Sequence, residues 1–177
     1  MSPGMHEHNT ESPSGGEPKS PPHGRGLGGG GLAVDETILA FDFGLKRIGV
    51  AIGELRLGQA RALAVIVAEA NAPRFAAIEK LVAEWHPSRL LVGQPLNEDG
   101  TPHEMTARCE RFANQLRGRW SLPVEAVDER FSSVMAEDEL RQRGVGWREA
   151  KTQVDAEAAR IILQSWMDTH APITLTA

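Results

Sequence analysis

The chain has very little cysteine and no long apolar run. Cys109 is the single cysteine among 177 residues, which rules out an internal disulfide and fits a reducing compartment. No stretch approaches the roughly 18 consecutive apolar residues that a membrane helix requires. The N-terminal region also lacks the continuous apolar segment of a secretory signal. These absences predict a soluble, cytoplasmic protein that does not bind a membrane.

An excess of positive charge is also lacking, because the formal net charge is −5 at pH 7. A generic nucleic-acid binder draws its affinity from Lys and Arg contacts to phosphates, so this balance argues against that class. It does not exclude an enzyme that holds a phosphodiester through metal ions and a local basic patch.

The first 34 residues lack aromatic side chains and contain nine of the 18 glycines and five of the 11 prolines. Such a segment cannot bury enough apolar surface to offset the entropy lost on ordering, which predicts a disordered tail over residues 1–34. The remainder predicts one domain over residues 35–172, followed by a short tail over residues 173–177.

The order of the apolar patterns predicts an α/β fold with a mixed sheet and helices on both faces. Three strands in close succession indicate an antiparallel meander, and the alternation that follows indicates parallel crossover units. The expected elements are two strands within 38–52, a strand at 61–67, a helix at 73–85, a strand at 89–93, a helix at 102–120, a strand at 123–127, a helix from 132 or 133, and a helix at 148–169.

The first strand ends in an acidic residue, Asp42, which lies between Phe41 and Phe43. Strands disfavour Asp, so this carboxylate is expected to be partly buried and to need a cation, a donor or a metal. Gly44 and Gly49 allow a tight turn and a close approach of other groups. The alternative is a hairpin in which Asp42 caps its own turn.

Two further places combine a carboxylate with an apolar setting. Asp128 and Glu129 end the last strand, and strand alternation puts them on opposite faces without indicating which one matters. In the last helix, counting by helical spacing puts Asp155 on the same buried stripe as Ile162 and Trp166.

Each acidic residue has a purely structural alternative; for Asp155 these are a salt bridge to Arg47 or Arg130, or an N-cap role. If the three sites converge, the carboxylates repel one another unless divalent cations neutralise them. Hard oxygen ligands without a Cys or His cluster favour Mg²⁺ or Mn²⁺ over zinc. Two such ions can align a water molecule and stabilise the leaving oxygen in phosphodiester cleavage.

Four motifs, in this order, resemble those of the YqgF family, also called RuvX, which are Holliday-junction-resolvase-like nucleases with an RNase H-like (RuvC-like) fold. The motifs are DFGLKRIGVA at residues 42–51, VGQPLNEDGT at 92–101, DERFSS at 128–133 and DAEAARIILQ at 155–164. They span nearly the whole predicted domain. The departures from the family pattern, at Phe43, Gln94 and Phe131, remove no carboxylate.

The resemblance implies a metal-dependent nuclease that processes the 5′ end of pre-16S rRNA. It implies that Asp42, Glu129 and Asp155 bind Mg²⁺ or Mn²⁺ and are catalytic, with Asp128 as the alternative acid of its pair. The residues expected to contact the substrate are Lys46, Arg47, Asn97 and Arg130.

Other functions stay open at this point. The same chemistry could act on branched DNA, as a Holliday junction resolvase does. Phosphoryl transfer in an actin-like fold is disfavoured, because the predicted domain has no room for a second nucleotide-binding lobe. A non-catalytic ribosome-associated factor is a third possibility, and the chain is expected to be a monomer or a homodimer.

Overall fold

The element order in the computed structural model follows the order expected from the sequence. The structure describes residues 36–129, 132–144 and 147–170. The chain divides into two units, residues 1–31 and 32–177, and every described residue lies in the second. The predicted tails and Arg130 lie outside the described residues.

Nine elements make up the described part of the chain, and each begins or ends within a few residues of its predicted position. They are β1 Thr37–Phe43, β2 Arg47–Glu54, β3 Gln59–Val67, α1 Asn71–Trp85, β4 Arg89–Gln94, α2 Glu104–Trp120, β5 Val124–Asp128, α3 Ser132–Gln142 and α4 Trp147–His170. None of the helices in these ranges is long and apolar enough to cross a membrane.

The five strands form one mixed sheet in the order β3-β2-β1-β4-β5. The first three strands pair antiparallel, while β4 pairs parallel with β1 and with β5. Both the predicted meander and the predicted crossover units are therefore confirmed. The central strand is β1, so a residue at its C-terminal end is flanked by strands on both sides.

One face of the sheet carries large apolar side chains that pack against α1 and α2. Phe41 and Phe43 of β1 contact Phe112 of α2, with ring centroids 5.9 and 4.7 Å apart. Alternation turns the neighbouring residues of β1 towards the other face, where Ile38 and Ala40 pack against α4. Helices therefore cover both faces of the sheet.

Beyond Arg47 at its start, the α4 face of β2 consists of small residues, so the helix comes very close to the strand. Gly49 and Gly53 lie on this face, opposite Asp42 and Ile38 of β1. A Cβ atom at Gly53 would lie only 2.9 Å from Sδ of Met167. This close packing fixes the position of α4 over the sheet and of every side chain that α4 presents to it.

Candidate active site

Asp42 lies at the C-terminal end of the central strand, with a glycine beside it on β2 and another near it on β4. Gly49 is its register partner on β2, and Gly93 follows Val92, the β4 partner of Phe41. Because Asp42 alternates with Phe41 and shares a face with Ala40, its side chain lies on the α4 face. The absence of side chains on the two glycines leaves room around this carboxylate.

Gly49 determines where Asp155 lies. A Cβ atom at position 49 would be 1.7 Å from the backbone oxygen of Asp155, so the α4 backbone rests directly on the glycine. Asp155 is within the body of α4, which extends from Trp147 to His170, so the N-cap alternative is wrong. The predicted position on the sheet-facing side of the helix is confirmed by this contact.

Gly93 leaves the space in which the side chain of Glu129 lies. The backbone N–H of Glu129 donates to the carbonyl of Gln94 at 3.3 Å, which continues the pairing of β5 with β4 by one residue. A Cβ atom at Gly93 would lie 2.1 Å from Oε2 of Glu129. The carboxyl group of Glu129 therefore occupies the space that a side chain at position 93 would fill.

Asp128 lies on the opposite face from Glu129. It ends β5 as the partner of Gln94 and is exposed. Val127, one residue earlier, packs against the α4 face, so alternation carries Asp128 to the α2 face and Glu129 back towards Asp42. Of the two acids at this strand end, Glu129 is the one that the fold brings to Asp42.

The carboxyl groups of Asp42 and Glu129 lie within hydrogen-bonding reach of each other, and such a bond can form only when one of them carries a proton. Burial, together with the charge of Asp155, raises the pKa of Asp42 to about 6. Burial and the charge of Asp42 raise the pKa of Glu129 to about 9. Two carboxyl groups held this close cannot both ionise unless a positive charge joins them.

Asp155 has its own counter-ion. Nε of Arg47 lies 3.0 Å from Oδ2 of Asp155, an ion pair that lacks the alignment of a hydrogen bond. Burial raises the pKa of Asp155, and the charge of Arg47 opposes that rise. The structural alternative for Asp155, a salt bridge to Arg47, is therefore present, but it lies beside Asp42 rather than apart from it.

The three acids offer a donor set for a hard divalent cation. All the donors are carboxylate oxygens, the ligand type of Mg²⁺ and Mn²⁺. As placed, no group of three His, Cys, Asp or Glu side chains in the described ranges converges closely enough to hold one ion. Asp42 and Glu129 already touch, while Asp155 acts on Asp42 through its charge and is paired with Arg47. The residues fit a cation in type and location, with two of them in contact.

The predicted substrate contacts are distributed unevenly around this cluster. Arg47 is next to it, and Lys46 is exposed in the β1–β2 turn, where Nζ lies 3.7 Å from Oε1 of Glu69. Asn97 belongs to a turn closed on itself, since its Nδ2 donates to Oγ1 of Thr101 at 2.8 Å. In the described part of the chain, Asn97 makes no contact with the three acids.

The contribution of Gly93 was missed at the level of sequence. The only available signal was a glycine ending an apolar run, and its meaning depends on which residue of the next strand pairs beside it. Cys109 of α2 is also close enough to feel these acids, because burial and the charges of Glu129 and Asp42 raise the pKa of its thiol to about 12. Such a thiol is not a nucleophile at neutral pH.

The regions that match known proteins cover almost all of the described domain. The family model described as "RuvX: Holliday junction resolvase" matches residues 36–169. A protein of Burkholderia cenocepacia (strain HI2424) named "Putative pre-16S rRNA nuclease" is 55% identical over 139 residues, which are 78% of this chain and 93% of that protein. A protein of the same name from Burkholderia thailandensis is 56% identical over 137 residues, 77% of this chain and 91% of its own.

Among solved structures, the Holliday junction resolvase of fowlpox virus superposes with a TM-score of 0.50. The match covers 75% of this chain and 99% of the viral protein at 11% sequence identity, so it concerns the fold alone. Together with the family match, it confirms the predicted RNase H-like fold class.

Proposed function

The chain belongs to the RuvX family, and from this premise we propose that it is a metal-dependent endonuclease that processes the 5′ end of pre-16S rRNA. The observation that carries the proposal is the buried contact between the carboxyl groups of Asp42 and Glu129. Two acids held together in this way repel each other once both are ionised. Their position at the end of the central strand is explained by a cation that both would hold.

Asp42 and Glu129 would be the first ligands of that cation, with Asp155 as the third. When bound, Mg²⁺ or Mn²⁺ would supply the charge that activates a water molecule and stabilises the leaving oxygen. The raised pKa of Glu129, about 9, means that without a cation this group keeps its proton at neutral pH. Binding is therefore coupled to release of the proton that Asp42 and Glu129 share.

Arg47 has two uses in this proposal. In the structure it neutralises Asp155 at 3.0 Å. If Asp155 were to hold the cation, the guanidinium of Arg47 would be available beside the site to pair with a phosphate oxygen of the substrate. Lys46, the preceding residue in the β1–β2 turn, is exposed and can contact the phosphate backbone further along the nucleic-acid strand.

The relatives named as pre-16S rRNA nucleases favour structured RNA as the substrate, because their identity to this chain exceeds half of the aligned positions. The description of the family model favours branched DNA as the alternative. We further propose a cytoplasmic location, where precursor rRNA is processed, and a monomer or homodimer.

Cleavage assays on two labelled substrates test the proposal. Wild type is compared with Asp42→Asn and Asp155→Asn on a precursor 16S RNA fragment and on a four-way DNA junction, with Mg²⁺, Mn²⁺ or a chelator. Both substitutions should lower the cleavage rate by more than about 100-fold, the upper range for residues that only support a metal site. Asp168→Asn is the matched control, because Asp168 is an exposed residue of the same helix.

Each result has a separate meaning. Preferential cleavage of the four-way junction would identify branched DNA, rather than RNA, as the substrate. Metal-dependent cleavage that survives in Asp42→Asn would refute the assignment of the site. Failure of the wild type to cleave either substrate would favour the non-catalytic ribosome-associated factor.

A further inference from the structure

A second concave site lies at the same end of the sheet, on the face opposite the three acids. We call this cavity of about 430 Å³ the basic pocket; it lies between the β1–β2 turn, the start of α1 and the first half of α2. Its lining includes four cations and one acid, which are Lys46, Arg74, Arg108, Arg111 and Glu69. The pocket therefore carries a local positive charge on a chain whose net charge is negative.

Arg74 is the buried member of this group, with only 6% of its surface exposed. Its Nη2 donates to the carbonyls of Leu45 at 2.8 Å and of Ala68 at 3.0 Å, which ties the β1–β2 turn to the start of α1. Its Nε is buried without a hydrogen-bond partner, and no carboxylate of the described residues pairs with it. The guanidinium also lies over the Phe43 ring, 5.1 Å from its centroid, and a buried cation with carbonyl and aromatic partners but no carboxylate is stabilised further by a nearby anion.

The other cations are accessible and weakly engaged. Lys46 pairs with Glu69 at 3.7 Å, with both side chains more than 70% exposed, and Arg108 pairs with Glu104 one helical turn away. Exposed pairs of this kind contribute little and exchange readily with another anion. Arg111 is exposed and, within the described ranges, has neither an ion pair nor a hydrogen bond.

The backbone adds to the same field. The first turn of α1, which supplies Asn71 and Arg74 to the lining, contains no acidic residue and has no side-chain cap. Its free N–H groups leave partial positive charge at this helix end. Four side chains and one helix terminus thus act on a single cavity.

An anion suits this cavity better than a nucleobase does. The aromatic residues beneath it, Phe43 and Phe112, are 8% and 1% exposed, and they stack on each other with ring centroids 4.7 Å apart. They offer no open ring face on which a base could stack. The accessible groups are charged donors, which recognise phosphate oxygens.

We propose that the basic pocket binds an internal phosphodiester group of the nucleic-acid strand that is being cut, away from the cleavage site. The inference rests on the proposed nuclease function and extends it. Lys46 and Arg47 are consecutive residues, yet Lys46 lines this pocket and Arg47 pairs with Asp155 on the other face. A strand crossing the β1–β2 turn would therefore contact both sites at once.

Binding measured without cleavage tests the pocket. Full-length wild type and Arg111→Gln are titrated, in chelator, against fluorescent RNA and DNA oligonucleotides at a series of salt concentrations. Arg61→Gln is the matched control, because Arg61 is an exposed arginine over the Trp85 ring, next to the β2–β3 turn and not in the basic pocket. Loss of one phosphate contact should lower the salt slope of log K by about one, equally for all base sequences.

Over a change from about 50 to about 200 mM salt, that difference amounts to an about threefold smaller loss of affinity in Arg111→Gln than in wild type. Arg61→Gln should retain the wild-type slope, and Arg111→Lys should restore most of it because the charge returns. An unchanged slope in Arg111→Gln would overturn the proposal.

The bound anion could be an internal phosphodiester or the terminal phosphate of a strand. Oligonucleotides with and without a 5′ phosphate distinguish these two sources. An effect of Arg111→Gln that is the same on both supports an internal phosphodiester. An effect that disappears when the terminal phosphate is removed would overturn this assignment. If the wild type cleaves while Arg111→Gln binds like the wild type, the proposal for the basic pocket is overturned and the nuclease proposal stands. A wild type that neither binds nor cleaves overturns both proposals.

Discussion

The two faces of the sheet at the C-terminal end of β1 treat charge in opposite ways. On the α4 face, the carboxyl groups of Asp42 and Glu129 are buried against each other, and Asp155, which is paired with Arg47, acts on Asp42 through its charge. On the α1 and α2 face, cations surround a cavity and, apart from Arg74, are exposed or loosely paired. The acidic face thus holds two carboxyl groups in contact with a third nearby, and the basic face is an open surface lined by cations.

The difference originates in what lies beneath the charges. Glycines on β2 and β4 let the α4 backbone and a carboxyl group come close to the strand, so the acids have little room to move. On the other face, phenylalanine rings fill the space, and the charged groups extend from the turn and the helices around them. Geometry should therefore matter more for the acidic face, and the number of charges more for the basic face.

The largest expected effect comes from filling the space at Gly49. In Gly49→Ala, the new Cβ atom would collide with the Asp155 backbone at 1.7 Å, and backbone cannot move as a side chain can. We expect destabilisation by about 3 kcal/mol or more, the upper range for overpacking, together with loss of cleavage. Urea unfolding and the RNA cleavage assay measure the two effects.

Gly118→Ala is the control for that experiment. Gly118 is a helical residue of α2, and a Cβ atom there would meet nothing within 4 Å. This variant should be more stable than wild type by about 0.5 kcal/mol and should cleave normally. Equal stability of Gly49→Ala and wild type would contradict the close contact on which the acidic face depends.

A smaller effect on stability is expected at Gly93. In Gly93→Ala, the closest atoms are Oε2 of Glu129, at 2.1 Å, and Cδ1 of Ile162, at 2.7 Å, both at the ends of side chains that can turn away. Cleavage should fall strongly because Glu129 leaves Asp42, while the free energy of unfolding changes less than in Gly49→Ala. If the cleavage rate fell in proportion to the free energy of unfolding in both Gly93→Ala and Gly49→Ala, a specific effect of Gly93 on the position of Glu129 would be refuted.

The pH dependence of stability without metal tests the acidic face while both of its glycines are kept. The pKa values of Asp42, about 6, and Glu129, about 9, exceed those of the unfolded chain. The stability contributed by their bound protons is fully present below about pH 4 and is lost as the pH rises through about 6 and then 9.

The melting temperature of chelated wild type should therefore fall over this window, and Glu129→Gln should flatten the fall. Mg²⁺ or Mn²⁺ should raise the wild-type melting temperature most at high pH, where the carboxylates are ionised. Identical pH profiles for wild type and Glu129→Gln would contradict a shared proton.

Much of the acidic face could be predicted from the sequence because it depends on local periodicity. Helical spacing put Asp155 on the buried stripe, and the Asp42 strand was recognisable from its apolar neighbours. The choice between Asp128 and Glu129 could not be made, because it depends on which face of β5 meets α4. The neighbourhood of Gly93 and Glu129 likewise requires knowledge that β4 pairs with β5.

The basic face was not predictable in the same way. Arg74, Arg108 and Arg111 each have the appearance of ordinary polar residues on amphipathic helices, and Lys46 comes from a turn far away in the sequence. Only the packing of α1 and α2 against the sheet brings them around one cavity. Their shared position therefore has no signature in spacing or composition.

The state of Cys109 makes the molecule convenient to label. The only thiol of the chain is 1% exposed, and its pKa of about 12 leaves almost no thiolate to react with a maleimide dye at neutral pH. A cysteine introduced by Leu45→Cys, at a side chain that is 48% exposed in the β1–β2 turn, would then be modified selectively without removal of the native one. A fluorophore attached there would lie at the basic pocket, whose lining includes Leu45, and would report a bound strand by its change in emission.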